Sequence, residues 1–344
     1  MRRNFLALVV ACVLGMVGPV RAQLQEPVQP VNIILDSDIA GDVDDVGDHA
    51  LLWALANRGE ARVLAVITSS ANSYSASAAW AIANYYGYPS VPIGAYQGNI
   101  PGDYGAVFSY YSQQITTSFG KPGDSRANYP DAVTVYRRAL AGAADGSVYI
   151  VCGGYYQPLK ALLQSGPDAI SPLTGVQLVA QKVKRLIPAA GKFPDSGTNP
   201  EHNFMEDPDG SSYVFAHWPT EIVSTGYENG WDVVTGPAAN ANPATNPIKA
   251  AYNLYCSDGK WCDNTRPAWS QVAIMYAVRG GIGTTFSAGG MNGTTVVWDS
   301  THATPGRNIW SQTPNSRHAY LLRLLSSSAM ANIINPLVPG KLTS

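Results

Sequence analysis

Val31-Asn32-Ile33-Ile34-Leu35-Asp36-Ser37-Asp38-Ile39-Ala40-Gly41-Asp42-Val43-Asp44-Asp45 is the segment on which the reading of this chain turns. The apolar run at its start predicts a short buried strand. Asp36, Asp38, Asp42, Asp44 and Asp45 follow almost at once, and Asp48 comes soon after, in a chain that is only 13% charged. Carboxylates this close repel one another, so their proximity needs a cation or a bound proton to offset it. A solvated acidic loop is the alternative, but the mouth of a core strand is an unusual place for one. The segment therefore reads as a metal or substrate site.

Outward from this segment, strand-like runs alternate with helical ones. Val46, Ala50, Trp53 and Ala54 fall at helical spacing. Strands are predicted over residues 62–68, 91–93, 147–152 and 184–188, and helices over 75–86, 132–144, from 158, 209–217 and 269–279. Residues 284–297 are β-rich, 237–247 read as a long loop, and no internal repeat is present. Such alternation predicts one α/β domain, residues 23–344, with an open, mostly parallel, Rossmann-like sheet and helices on both faces. Ligands of open parallel sheets bind at the carboxyl ends of the strands. Asp36, Asn72, Cys152 and the segment after Pro188 should therefore converge on one face.

Residues 1–22 read as a secretory signal peptide: Arg2-Arg3, an apolar core, and a small-residue cleavage site ending at Ala22. The core is too short and too broken by Gly15, Gly18 and Pro19 for a membrane anchor. The expected location is secreted or periplasmic, with no membrane association after cleavage. A net charge of −2 gives no reason to expect a nucleic-acid partner. Cys256 and Cys262 could close a small loop in an oxidising compartment. Cys152 reads as a buried thiol, and no Cys/His pairing suggests zinc. The sequence leaves open whether the chain forms a homo-oligomer.

Three motif readings compete for the acidic segment. Asp36-x-Asp38-x-x-Gly41 fits the early positions of an EF-hand loop, but Gly47 stands where the bidentate Glu belongs. A phosphatase-type Asp-x-Asp pair explains Asp36 and Asp38 and leaves Asp44 and Asp45 without a role. The segment also resembles the N-terminal signature of the inosine/uridine-preferring nucleoside hydrolases, Asp-x-Asp-Pro-Gly-x-Asp-Asp, in a variant two residues longer. Further pieces are similar and occur in order: Ala65-Val66-Ile67-Thr68 with Asn72, Val91-Pro92-Ile93-Gly94, Val151-Cys152-Gly153-Gly154, Asn199-Pro200-Glu201-His202-Asn203-Phe204 with Asp207-Pro208, and Arg266-Pro267-Ala268-Trp269. The resemblance spans nearly all of the mature chain. Its specific parts are the paired Asp motif and Glu201/Asn203.

The resemblance implies a fold of the nucleoside hydrolase type and cleavage of N-ribosidic bonds to free base and ribose, as in nucleoside salvage. It implies calcium bound by Asp38, Asp45 and the main-chain carbonyl of Cys152. Asp38 would be the general base on a water held by that calcium. Asp44, Asn72, Asn199, Glu201 and Asn203 would hold the ribose hydroxyls, because amides and carboxylates read vicinal hydroxyls. Carboxylates also stabilise the oxocarbenium-like centre of such a reaction. Asp36 is expected to be supportive, and Asp42 and Asp48 peripheral. Tyr155, Tyr156 and Trp269 are the candidate base-stacking residues. His49, His217, His302 and His318 match no motif, and His202 lies between two site residues.

One position departs from the family. The last helix usually begins with an Asp that binds both calcium and ribose, and here the residue is Ser270, a weaker, neutral ligand. Asp263, nearby in sequence, is a possible substitute. The leading expectation is a calcium-dependent riboside hydrolase. The alternative is a non-catalytic nucleoside- or sugar-binding protein of the same fold.

Overall fold

The computed structural model describes residues 29–338, except 101, 104, 106–109, 239, 258–261 and 315. The expected leader at 1–22 lies outside the described residues. The strands are β1 (Val31–Ser37), β2 (Ala61–Thr68), β3 (Ile93–Ala95), β4 (Val148–Cys152), β5 (Val183–Pro188), β6 (Glu221–Ser224), β7 (Val234–Thr235), β8 (Arg266–Pro267), β9 (Phe286–Val297), β10 (Asn308–Gln312) and β11 (His318–Arg323). Nine form one sheet in the order β10-β9-β11-β6-β5-β4-β1-β2-β3, and β7 pairs with β8. All neighbours from β3 across to β11 run parallel, while β9 and β10 add an antiparallel edge. The expected open, mostly parallel α/β sheet is present.

Side-chain alternation along the strands explains why both faces are covered. Ile33 and Leu35 of β1 join one buried cluster, and Ile34 between them joins another. β2 splits in the same way, with Val66 on one face and Ala65 and Ile67 on the other. A strand apolar at successive positions must bury both faces, and helices are what cover them. Helices Asp44–Asn57, Ser75–Tyr85 and Trp269–Arg279 cover the first face. Helices Ala132–Ala141, Gln157–Gln164, Gly175–Lys182 and Pro208–His217 cover the second.

Helix Asp44–Asn57 fixes the position of the acidic segment. It has no side-chain cap, but Asp44 and Asp45 occupy its first turn, where the helix dipole favours negative charge. Trp53, with no exposed surface, anchors it to the sheet, and helix Trp269–Arg279 packs against it.

The end of the expected long loop behaves differently from its composition. Asn246 accepts hydrogen bonds from the Ile248 and Lys249 amides (3.0 and 3.1 Å), and this cap starts helix Pro247–Ser257. Cys256 at that helix's end is disulfide-bonded to Cys262, and Cys152 is a buried free thiol. No described helix is long and apolar enough to cross a membrane. Replacing Cys256 by Ser should lower unfolding stability by about 2 kcal/mol, from the loop entropy restored to the unfolded chain. Urea denaturation of the oxidised protein and the variant measures this.

Candidate functional site

Strand β1 has β2 on one side and β4 on the other, so the chain changes direction across the sheet between β1 and β4. A crevice opens at that point, beyond the carboxyl ends of the strands. The cavity there has a volume of about 620 Å³, a size suited to a small molecule. Asp38 enters it directly after β1, Gly153 after β4 and Ala189 after β5. Gly154 permits this approach: a Cβ there would lie 2.5 Å from both the Asp38 amide nitrogen and the Ser69 hydroxyl.

Asp44 and Asp45 face the same cavity from the first turn of their helix. No hydrogen bond from another described residue reaches either carboxylate. Burial pushes both carboxyls well above the ordinary range, and neighbouring acids push them further. Asp38 is raised to about 7, chiefly by burial, with Asp103 and Glu201 adding to the effect and His202 opposing it. Asp36 is raised by burial and braced by the Tyr136 hydroxyl, which donates to it at 2.6 Å. It lies behind the cavity in a supporting place.

Asp42 is not peripheral. Arg266 donates to both of its oxygens, at 2.8 and 3.0 Å through Nε, and the Tyr111 hydroxyl donates to its carbonyl at 2.6 Å. The Arg266 guanidinium also lies 5.6 Å from the Tyr255 and Trp269 ring centres. This ion pair ties the acidic loop to β8 and to the start of helix Trp269–Arg279. Composition alone could not pair two residues so far apart in sequence.

The segment from Asn199 to Asn203 forms the opposite wall. Glu201 caps helix His202–Glu206, accepting from the amides of Asn203 (2.9 Å), Phe204 (3.3 Å) and Gly191 (3.1 Å). Burial raises its carboxyl, against the pull of those amides. Asn203 donates to the Gly153 carbonyl at 2.9 Å. Asn199, Glu201, His202 and Asn203 all line the cavity.

Three expectations are corrected. Asn72 does not line the cavity: its amide donates to the Gly105 carbonyl at 2.8 Å and its oxygen accepts from the Tyr74 amide at 2.8 Å, so it holds its own loop. The Cys152 carbonyl accepts the Ala189 amide in the sheet ladder at 2.9 Å, and the backbone at the cavity is that of Gly153. Asp263 is exposed and away from the cavity, so it does not stand in for the missing carboxylate. Of the expected aromatics, Tyr155 and Trp269 line the cavity, while Tyr156 is buried against Phe204 and Phe215. Tyr227, Tyr255 and Lys192 also line it and carried no sequence signal.

All of the cavity's side-chain acids offer oxygen, the donor that calcium prefers. Among the described residues, no three His, Cys, Asp or Glu side chains group as a ready-made metal site. Asp38 and Asp45 supply two carboxylates, with the Ser270 hydroxyl and the Gly153 backbone beside them. The donor atoms are oxygen throughout, which suits a hard cation in kind.

No protein-family model matches the chain, and no curated protein sequence does. Solved structures do. A plant nucleoside hydrolase superposes with a TM-score of 0.65 at 16% identity, over 90% of this chain and 99% of that one. The inosine-uridine preferring nucleoside hydrolase from Bacillus anthracis gives 0.61 at 15% identity, over 90% and 99%. The fold is that of the nucleoside hydrolases. It is shared by the type III effector protein XopQ, solved with adenosine diphosphate ribose, at a TM-score of 0.65 and 15% identity, over 91% and 94%.

The raised carboxyls set the pH dependence of stability. An acid raised in the folded state contributes stability that is lost as pH rises through its folded pKa. Buried His49, lowered to about 3, and His318, lowered to about 4, act oppositely and only below their unfolded value of 6.5. Above pH 6.5 the acids dominate, with Asp38 near 7. In chelator the protein should melt at a lower temperature at pH 8 than at pH 6.5, and calcium should narrow the gap. Scanning calorimetry at the two pH values tests this.

Proposed function

We propose that the protein is a calcium-dependent hydrolase that cleaves the N-glycosidic bond of ribonucleosides or related ribosides. The observation that carries this reading is the meeting of Asp38, Asp44 and Asp45 with Glu201 and Asn203 in one cavity, at the strand ends of a nucleoside hydrolase fold. Calcium, when bound, would be held by Asp38, Asp45 and Ser270 with the backbone at Gly153, and it makes water easier to deprotonate. Asp38 takes the proton of the attacking water as general base. Asp44, Glu201, Asn203 and Asn199 orient the sugar hydroxyls. Glu201 is held rigidly by three backbone amides and keeps acceptor capacity for a ribose hydroxyl. The uncompensated carboxylates stabilise positive charge developing on the sugar ring. Tyr155, Tyr227, Tyr255 and Trp269 offer apolar faces to the base.

Ser270 supports a second reading, a nucleoside- or sugar-binding protein without turnover. The effector solved with adenosine diphosphate ribose is an instance of a riboside ligand on this fold. A panel of purine and pyrimidine nucleosides, with and without chelator, separates the two. Release of free base that stops in chelator is expected; tight binding of an intact nucleoside with no release would leave only the binding reading. Asp38→Ala should lower turnover by about 100-fold or more while leaving the circular dichroism spectrum unchanged.

Export is part of the proposal. The apolar leader at 1–22 and the Cys256–Cys262 disulfide both fit an oxidising compartment. Amino-terminal sequencing of the exported protein should begin at Gln23.

A further inference from the structure

Three basic side chains line the cavity: Lys192, His202 and Arg266. Arg266 is paired with Asp42, and His202 Nδ1 stands 3.8 Å from Glu206. Lys192 forms no ion pair among the described residues. Its ammonium donates to the backbone carbonyls of Asn199 (2.8 Å) and Pro200 (3.3 Å) and lies 5.1 Å from the centre of the Tyr227 ring. All three of those residues line the cavity, so the ammonium itself stands at the wall. Glu228 acts on Lys192 electrostatically, but it is not part of the wall, and its carboxylate accepts from the Phe193 amide at 3.4 Å. The main chain of Lys192 is fixed as well. The buried Asn308 side chain accepts from its amide at 2.9 Å and donates to its carbonyl at 2.8 Å. An ammonium has three protons to donate, and the two carbonyls leave one for a ligand.

A neutral nucleoside gives such a group nothing to neutralise. Lys192 belongs to the wall of Asn199 and Asn203, across the cavity from Asp38, Asp44 and Asp45. An anion in the cavity is repelled by those carboxylates and attracted by the ammonium, which together set its place. On a ribose, the vicinal hydroxyls suit carboxylates and amides, and the anomeric carbon carries the base. The primary hydroxyl is the position left to carry a charge. We propose that Lys192 receives a phosphate on that primary hydroxyl, so that the substrate class takes in ribonucleoside 5′-monophosphates. This rests on the riboside reading above. Water replaces the base at the anomeric carbon, the phosphate ester stays intact, and the products are free base and ribose 5-phosphate. A lysine ammonium is a compact point charge with rotatable donors, and it suits a phosphate without demanding two oxygens in one plane.

Titration calorimetry of the full chain with ribose and with ribose 5-phosphate, in the presence of calcium, tests this without turnover and without a choice of base. In the wild type, ribose 5-phosphate should bind about 10-fold or more tightly than ribose, the size expected of a charge-assisted hydrogen bond. Lys192→Met should bring that ratio close to one, and Lys192→Arg should keep most of it. A ratio near one in the wild type would overturn the proposal, as would failure of ribose 5-phosphate to bind. So would a ratio that survives in Lys192→Met, because a lysine that only fastens the segment before Glu201 weakens both sugars alike. If Lys192→Met does not fold, Lys192→Gln is read in the same way. Release of base from adenosine, uridine and their 5′-monophosphates separates this inference from the hydrolase reading. Base released with a ratio near one leaves the hydrolase reading standing and removes the inference. A ratio that depends on Lys192, with no base released, upholds the inference and removes the hydrolase reading.

Discussion

Asp38, Asp44 and Asp45 face one cavity at the carboxyl end of β1, Asp48 is buried one helical turn further on, and no ion pair neutralises any of them among the described residues. Their mutual repulsion and lost hydration oppose folding, and the surrounding structure offsets only part of it. The helix that begins at Asp44 turns its positive end towards them. Arg266 takes Asp42 and so fastens the loop from outside. These contacts leave the Asp44 and Asp45 carboxyls raised by burial and by neighbouring acids.

The cavity also shows how a helix cap can serve a site. Glu201 spends its carboxylate on three backbone amides, and this holds it rigid at the cavity wall. Asn203, on the helix so capped, reaches across to the Gly153 carbonyl and fastens this wall to the end of β4. The two walls belong to distant parts of the chain, and this hydrogen bond, at 2.9 Å, joins them.

Strands β1, β2, β4 and β5 and helix Trp269–Arg279 were legible because their apolar periodicity is strong and their lengths suit one element type only. β6, with four residues, and β11, whose apolar run is brief, were not. Their membership in the sheet comes from pairing with β5 and with each other, not from local propensity. β9 is rich in glycine because the Trp310 and Tyr320 rings occupy the space above Gly289, Gly290 and Gly293, a cause invisible in the strand's own residues. Asn72 was misjudged because an Asn after a strand serves equally well to hold a loop or to face a ligand. Only the position of Gly105 distinguishes the two.

The sequence by itself determined the α/β class and the single acidic loop behind β1, because each is written in a local pattern of residue types, and the association of that loop with Glu201 and Asn203 was what the family resemblance implied. Tertiary structure decided which acids matter and how. It brought Arg266 to Asp42, placed Gly153 and not Cys152 at the cavity, and buried Asp48 beside Ser270. These outcomes depend on where helix Trp269–Arg279 packs against helix Asp44–Asn57 and against β4. Contacts between segments more than a hundred residues apart arise from packing the whole sheet, and no local pattern encodes them.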